Sequence, residues 1–277
     1  MTAFTELPEA EATGRIAEIY AEIRHFYGVP YVSSLQRHLA TLPGVLEWAW
    51  DAVRPAVACG VLPERAWALA EEVNLPPLPK LSPAALRVLG VDAGSLETVR
   101  TVCASFETVA PLNMATGGTV QALLQGATAT GEAAASAGDW RPAKAFPNPP
   151  ATLPLDAVSD DVRAVLLQLA TDMDGETFVP GLYRQLAHWP AYLAHAATEL
   201  GPLFENEVVR RECQAVRERI AGAVPEFLAI LPPPPPPPAD APANHILAAI
   251  ETYQGTSPQM ICFGRLLREA LPPPLSP

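Results

Sequence analysis

The side chains that most often carry out chemistry in proteins are thinly spread along this sequence. Of its five histidines, only His188 and His195 lie near each other, seven positions apart with Pro190 between them. Because a catalytic zinc ion needs three protein ligands that converge, this spacing predicts no metal site. The four cysteines lie far apart and lack the two-residue spacing of zinc and redox motifs. We expect reduced, mostly packed thiols and no cofactor.

Sequence motifs for common reactions are also missing. The sequence contains no glycine-rich phosphate loop, no nucleophile elbow of a serine hydrolase and no zinc-protease helix motif. The stretch ATGG at Ala115 lacks both the lysine and the preceding strand of a phosphate loop. It predicts a close contact between helices instead.

Two helix starts are the first places where a ligand is expected. The stretches VPYVSSLQRHLATLPG and FVPGLYRQLAHWPA each place Val-Pro directly before a helix. The first turn of a helix has backbone N–H groups without intrahelical partners and a partial positive charge. Two such starts that meet at a pseudo-twofold axis would hold a small carboxylate without Lys or Arg. The alternative is that both are ordinary caps, with solvent or Ser33 and Ser34 satisfying the amides.

These two helix starts belong to two similar halves of the chain. LQRHLATLPGVLEWAWDAVRP from Leu35 and LYRQLAHWPAYLAHAATELGP from Leu182 agree at eight positions when they are aligned at an offset of 147. Average composition would give roughly two matches. Two further pairs of blocks follow in the same order, which predicts an internal duplication with a period of about 145 residues. We expect two tandem helical repeats that pack like a fused homodimer, with a cavity at their interface.

The repeats place the domain boundaries. We predict a first repeat over residues 1–125, a linker over 126–157 and a second repeat over 158–277. The linker is rich in Ala, Gly, Thr and Pro, with little that could pack. The seven-proline run Pro232–Pro238 predicts a stiff polyproline II spacer between helices, with a ligand for an SH3-type domain as the alternative.

Apolar residues recur mostly at steps of three and four, which is typical of amphipathic helices. Pro43 is expected to interrupt the helical path after the first of the two helix starts. No convincing alternating strand is present, so the fold class is predicted to be all-α. Further helix starts are predicted at serine N-caps: Ser82, Ser95 and Ser159.

The amino-acid composition indicates which kinds of binding partner to expect. The net charge is -12, the pI is about 4.8 and the mean hydropathy is +0.14. A folded, acidic, soluble chain is a poor match for nucleic acid or an anionic membrane, since both are bound through Lys and Arg. The N-terminus lacks an apolar signal-peptide run and no stretch of about 20 apolar residues is present. A cytoplasmic location is expected.

The sequence also carries a resemblance to a known family. The blocks IAEIYAEIRHFYGVPYVSSLQRHLATLPGVLEWAW, LETVRTVCASFETVAP and GLYRQLAHWP resemble those of the group I 2-haloacid dehalogenases, and the similarity extends across nearly the whole chain. This resemblance implies an all-helical fold of two pseudo-dimeric repeats, with the active site between them. It also implies hydrolysis of the carbon–halogen bond in both enantiomers of short 2-haloacids. An activated water attacks the carbon directly, with inversion and without an ester intermediate.

The resemblance implies a set of site positions, several of which carry a different residue here. The catalytic aspartate of the family aligns with Leu182. The asparagine that helps to hold the water aligns with Ala110, and Asn113 lies close enough to replace it. The remaining substrate-binding positions are the aromatic after the first Val-Pro, a serine at the first helix start, the residue before the missing aspartate and a pocket tyrosine: Tyr31, Ser34, Gly181 and Tyr253.

Another carboxylate would have to replace the missing base. The stretch TDMDGE offers Asp172, Asp174 and Glu176 just before the altered helix start, and Glu107 lies about one helical turn before Ala110. The catalytic candidates are therefore Asp174, Glu107 and Asn113. The plainer interpretation is that these acids are solvated, with Asp174–Gly175 forming a turn.

Three functions stay open at this point. The first is hydrolysis of a small 2-substituted carboxylate with a relocated base. The second is binding of a small carboxylic acid without that reaction, and the third is an interaction protein whose proline-rich connectors recruit partners. Whether two chains pair into a homodimer is also left open.

Overall fold

The computed structural model describes residues 5–132, 140–173 and 175–273. Their regular secondary structure is helical apart from one short hairpin, which confirms the all-α prediction. The first half contains α1 Gly14–Tyr27, α2 Ser34–Leu39, α3 Val45–Ala58, α4 Val61–Glu71, α5 Pro83–Val88 and α6 Ala93–Leu124. The second half contains α7 Asp160–Gln168, α8 Gly181–Leu186, α9 Pro190–Leu200, α10 Glu207–Gly222, α11 Val224–Ile230 and α12 Ala243–Ala270. Short 3-10 turns lie at Glu9–Glu11 and Gly201–Leu203.

One small hairpin corrects the expectation that no strand is present. β1 Thr171–Met173 pairs antiparallel with β2 Glu176–Phe178. Three-residue strands are too short to show the period-two alternation by which strands are recognised. Gly175, at a φ of +83°, lies in the connecting turn, as the Asp-Gly pair predicts. Asp174 itself lies outside the described residues.

The chain divides into two compact units, each built from three separate segments. Unit 1 contains Met1–Glu72, Thr108–Phe146 and Val216–Ser257. Unit 2 contains Val73–Glu107, Pro147–Ala215 and Pro258–Pro277. Each unit thus draws on both halves of the sequence and differs from the predicted repeats. The repeat boundaries at 125 and 158 and the cavity between repeats stay predictions.

Local sequence explains most helix ends. Ser82 and Ser159 cap α5 and α7, since their hydroxyls accept the backbone N–H of residues 85 and 162. Pro43 lies between α2 and α3, as predicted. The predicted cap at Ser95 is wrong. Instead, α6 begins at Ala93, and the side chain of Asp92 accepts the N–H of Ser95 at 2.7 Å.

The part of the predicted linker that belongs to unit 1, up to Phe146, packs more closely there than its composition suggests. The rings of Trp140 and Trp67 lie 6.0 Å apart, and the Trp140 indole N–H donates to Glu64 at 3.0 Å. The backbone N–H of Gly131 donates to the carbonyl of Leu231 at 2.9 Å. One tryptophan and a few backbone hydrogen bonds therefore hold the described parts of this segment against the helices.

The proline run connects α11 to α12 within unit 1, as a spacer would. It lies beside α3, where the Trp48 indole donates to the carbonyl of Pro235 at 2.9 Å. Within the described ranges, no helix combines the length and the apolar character that crossing a bilayer requires.

Each unit has its own apolar core. In unit 1, α1 packs on α3 through Ile19, Ile23 and Trp50, each at most 3% exposed. In unit 2, α7 packs on α9, where Leu166 and Leu193 are fully buried. These cores hold the ends of the short helices α2 and α8, which carry the predicted site positions.

Candidate functional site

Three polar side chains form the main cluster of unit 1. The side-chain oxygen of Asn113 on α6 accepts a hydrogen bond from Nε2 of Gln36 at 2.9 Å. The hydroxyl of Ser33 lies 3.0 Å from the same oxygen and also contacts Oε1 of Gln36. We call Ser33, Gln36 and Asn113 the Asn113 cluster. It ties the start of α2 to the middle of α6.

The cluster leaves two donors of Asn113 unused. Because Oδ1 receives the hydrogen bonds from α2, the side-chain amide presents its two N–H groups on the other side. In the described part of the chain, no group accepts a hydrogen bond from Nδ2 of Asn113. The side chain is partly exposed, so these donors are available to a water molecule or to a carboxylate.

The cluster also explains what Ser33 does. Ser33 occupies the N-cap position of α2, but its side chain makes no capping hydrogen bond. The hydroxyl turns to Asn113 and Gln36 instead, which corrects the interpretation of Ser33 as the group that satisfies the helix amides. At the second helix start, Pro180 is the N-cap and provides no side-chain cap either.

Tyr27 and Thr116 extend the cluster into the interior. The Tyr27 hydroxyl donates to Oγ1 of Thr116 at 3.2 Å, and Thr116 donates to the carbonyl of Leu112 at 2.8 Å. The Thr116 hydroxyl also lies 3.4 Å from the backbone carbonyl of Asn113. Burial raises the pKa of Tyr27, so its phenol stays protonated at neutral pH.

A small cavity lies against this extension. Its volume is about 30 Å³. That is enough for one or two water molecules, which need about 10–15 Å³ each by this measure, but too little for a haloacid. The polar groups on its wall belong to Tyr27, Gln36 and Thr116. The rest of the wall is mainly apolar and includes Leu35, Leu39, Leu46, Val53 and Val120.

The other predicted positions of unit 1 lie at the same helix start or on α6 and α12. Ser34 is hydrogen-bonded to Tyr253, and burial raises the pKa of that tyrosine. The Ser34 hydroxyl also accepts from Nη2 of Arg37 at 3.3 Å. Tyr31 is partly exposed, whereas Ala110 is buried and has no polar side chain. The structure therefore favours Asn113 over the position of Ala110 as the polar group of this region.

In unit 2, the start of α8 holds an apolar side chain at the position that was aligned with the catalytic aspartate in the sequence analysis. Leu182 is the second residue of α8 and is fully buried. Gly181 precedes it, and a Cβ atom at Gly181 would come within 3.0 Å of the Phe106 ring. This contact leaves little space for a serine there.

Glu107 forms an ion pair with two arginines of α12 in unit 2. Its Oε1 accepts from Nε of Arg265 at 2.7 Å, and its Oε2 accepts from Nε of Arg268 at 2.7 Å. The side chain is only 14% exposed. Both carboxylate oxygens are thus engaged by guanidinium groups, which is the arrangement of a structural ion pair.

The structure describes only part of the acidic stretch TDMDGE, which was predicted to offer a replacement base. The carboxylate of Asp172 accepts the backbone N–H of Gly175 at 3.1 Å in an exposed turn. Asp174 and the side chain of Glu176 lie outside the described residues. The described ranges contain no group of three or more His, Cys, Asp or Glu side chains that could hold a metal ion.

Sequence reasoning missed part of the cluster. It named Asn113, and it considered Ser33 only as a cap. Gln36 follows Ser33 by three positions, and Thr116 follows Asn113 by three, so the two residues of each pair lie on the same side of the chain at helical spacing. That spacing is the signal from which a buried polar network could have been inferred.

Comparisons with known proteins agree on the family. No family model matches the chain. A configuration-inverting 2-haloacid dehalogenase of Alcaligenes xylosoxydans xylosoxydans is 30% identical over 215 residues, which cover 74% of this chain and 71% of that protein.

Solved structures show the same fold at lower identity. The structure of a D-2-haloacid dehalogenase mutant with D-2-CPA has a TM-score of 0.75 and 17% identity, and the match covers 96% of this chain and 95% of that one. A complex of a D-2-haloacid dehalogenase with L-LA has a TM-score of 0.72 and 18% identity over the same shares. The chain therefore belongs to the family of configuration-inverting 2-haloacid dehalogenases.

Proposed function

We propose that this chain binds a short 2-substituted carboxylic acid but lacks the carboxylate with which its family activates water. The observation that carries the proposal is the fully buried Leu182 at the start of α8. A leucine has no lone pair, and loss of a positioned general base typically costs about 10²- to 10⁴-fold in rate. Very slow halide release is therefore expected.

The Asn113 cluster supports the binding half of the proposal. Its two unused N–H donors suit a carboxylate or a polar substituent next to it. Ser33 and Gln36 fix the orientation of the amide, so these donors are pre-organised before a ligand arrives. The L-LA and D-2-CPA of the solved neighbours indicate the size of ligand to test first.

The alternative, a relocated base, has less support among the described acids. Glu107 uses both oxygens in its ion pair, and a base must keep a lone pair for the proton of the water. Asp172 accepts a backbone N–H in a turn. Both oxygens of Glu107 are thus occupied, whereas Asp172 keeps one oxygen without a donor among the described residues but lies in an exposed turn.

Halide release from each enantiomer of 2-chloropropionate tests the chemical half. We expect the unmodified chain to stay near the background rate and Leu182→Asp to gain activity. Leu182→Asn is the matched control, because it has the same shape and polarity without a base. Thermal unfolding of both variants shows whether a polar side chain is tolerated in this buried place. Rapid halide release by the unmodified chain would refute the proposal.

Calorimetric titration with 2-chloropropionate and lactate tests the binding half without any turnover. Asn113→Ala should weaken binding about tenfold, the usual consequence of losing one hydrogen bond to a charged group. Asn113→Asp places a negative charge against the ligand carboxylate and should weaken it further. Unchanged affinity in both variants would show that the Asn113 cluster is not the binding site.

A further inference from the structure

A second pocket of unit 1 shares no lining residue with the Asn113 cluster. Its volume is about 270 Å³, close to the lower end for pockets that hold small molecules. We call it the Gln254 pocket. Helices α6, α10, α11 and α12 provide its wall, which includes Met114, Gly118, Gln121, Arg217, Val224 and Gln254.

Gln254 is the most informative residue of this wall. Its side chain is only 9% exposed, yet no group in the described ranges makes a hydrogen bond with its amide. Its amide atoms are not among the fully buried polar atoms without a partner in the described residues, so the amide faces the pocket and is open to water or a ligand. Its Nε2 lies 3.6 Å from the place that a Cβ atom of Gly118 would occupy. Cγ2 of Val224 lies 3.2 Å from the same place, so Gly118 allows α6 to pack closely beside this valine and the amide.

The two ends of α12 differ in how they pack on α6. In unit 2, Arg265 and Arg268 of α12 form ion pairs with Glu107 of α6. In unit 1, α6 and α12 contribute Gly118, Gln121 and Gln254 to the pocket wall. These three residues carry no charge, so no ion pair between them fills the space.

Arg217 is the one charged side chain on the described wall of the Gln254 pocket. Its Nη2 contacts Oε1 of Glu251, a carboxylate that is 54% exposed. No group in the described residues accepts from Nε or Nη1 of Arg217. A guanidinium that retains free N–H groups is the preferred protein partner of a carboxylate.

We propose that the Gln254 pocket binds a small monocarboxylate. The carboxylate would lie on the free N–H groups of Arg217, and a polar atom of the ligand would satisfy the amide of Gln254. Met114 and Val224 offer apolar surface for a body about the size of a phenyl ring. This site is independent of the proposed function, since it shares no residue with the Asn113 cluster.

Benzoate and benzamide are suitable probes, since they have the same shape and differ in charge. Benzoate, titrated into the full-length chain and followed by NMR, should shift the side-chain amide signals of Gln254, Gln121 and Gln125. Benzamide should shift them at least tenfold less at the same concentration. Equal effects of the two probes, or no shift with benzoate, would overturn the proposal.

Variants of the charged pair make the test specific. Arg217→Met should weaken benzoate binding at least tenfold, and Arg217→Lys, which keeps the charge but not the forked donors, should be intermediate. Glu251→Gln frees Nη2 of Arg217 and should strengthen binding several-fold. Arg210→Met, an arginine of the same helix outside the pocket, is the control for net charge.

Two outcomes separate this proposal from the proposed function. Asn113→Ala should leave benzoate binding unchanged. In an Arg217→Met background, Asn113→Ala should weaken 2-chloropropionate binding as much as it does in the unmodified chain. Benzoate binding that is lost in Asn113→Ala and kept in Arg217→Met would place the probe in the Asn113 cluster and overturn the Gln254 pocket. Circular dichroism of each variant confirms that the helices are intact.

Discussion

Arg268 binds both carboxylate oxygens of Glu107, through Nε at 2.7 Å and through Nη2 at 3.2 Å. Arg265 adds a third hydrogen bond to the same carboxylate. Two guanidinium groups thus share one acid in a largely buried place, and hydrogen bonding to Glu107 raises the pKa of Arg268. This arrangement assigns Glu107 a role in stability.

Removal of this acid is expected to be costly. Glu107→Ala leaves two partly buried cations without their partner and should lower the free energy of unfolding by about 2–4 kcal/mol, somewhat less than for a fully buried pair. Glu97→Ala on the same helix is the control. Glu97 is 67% exposed, and its ion pair with Arg100 should contribute less than about 0.5 kcal/mol. Equal losses in urea unfolding would contradict this assignment.

Glu22 is expected to make stability depend on pH. Burial raises the pKa of Glu22, but the hydrogen bonds from Trp50 and Arg54 outweigh it and leave a net lowered value. Both donors bind Oε2, at 2.6 Å and 2.8 Å. A carboxyl group whose pKa is lowered by folding stabilises the fold at pH values above its pKa in the unfolded chain, which is about 4.3. This contribution is lost as the pH falls through the lower pKa of the folded state.

Glu22→Gln should therefore cost about 1.5–3 kcal/mol at pH 7, the range for hydrogen bonds to a charged group, and less at pH 4. Urea unfolding of both proteins at several pH values measures the difference. Glu18→Gln on the same helix is the control, because Glu18 is 68% exposed. A difference that stays constant from pH 7 to pH 4 would be inconsistent with this explanation.

Gly60 is expected to tolerate no side chain. It has a φ of +84°, and a Cβ atom there would come within 2.4 Å of the Trp140 ring. Gly90 has a similar φ of +79° but open space around it. Gly90→Ala should cost about 1 kcal/mol for the left-handed backbone alone, and Gly60→Ala should cost about 1–3 kcal/mol more because the ring must move.

The same pair of sites allows a double-mutant cycle. In a Trp140→Ala background, the cost of Gly60→Ala should fall to that of Gly90→Ala, since only the backbone effect is left. Thermal unfolding of the unmodified chain, the two single variants and the double variant gives the coupling free energy between the two sites. An unchanged cost of Gly60→Ala would show that the ring is not the obstacle.

The four cysteines should differ in reactivity. Cys59 and Cys213 are partly exposed, whereas Cys103 and Cys262 are buried. Burial raises the pKa of Cys103 to about 12. The hydrogen bond with Cys262, whose sulfur is 3.6 Å away, lowers the pKa of Cys213.

A thiol reagent should therefore label two cysteines in the folded protein and all four after unfolding. The labelling of Cys213 should persist at a lower pH than that of an ordinary thiol, because its thiolate is favoured. Cys59→Ser should leave one reactive site. Rapid labelling of Cys103 in the folded chain would contradict the described burial.

Periodicity and turn residues were enough to predict the helical class, the break at Pro43 and the caps at Ser82 and Ser159. These features depend on neighbours in sequence, which a single chain displays directly. The hairpin at Thr171–Phe178 and the packing of Trp140 were missed because they depend on short strands and on a distant partner.

The candidate site was predicted only in part. Asn113 was named from its place near the aligned position, but its bonds to Ser33 and Gln36 join residues that are 77 or more positions apart. The ion pair of Glu107 with Arg265 spans 158 positions. Such long-range pairs depend on the packing of helices, which periodicity does not reveal.

The discontinuity of the two compact units restricts how the polypeptide can be made and divided. Unit 1 needs residues 216–257 and unit 2 needs residues beyond 258. During translation, neither unit can be completed until most of the message has been read. A single protease cut or an early stop codon would therefore release no self-sufficient half, and shortened versions for expression should keep both long helices whole.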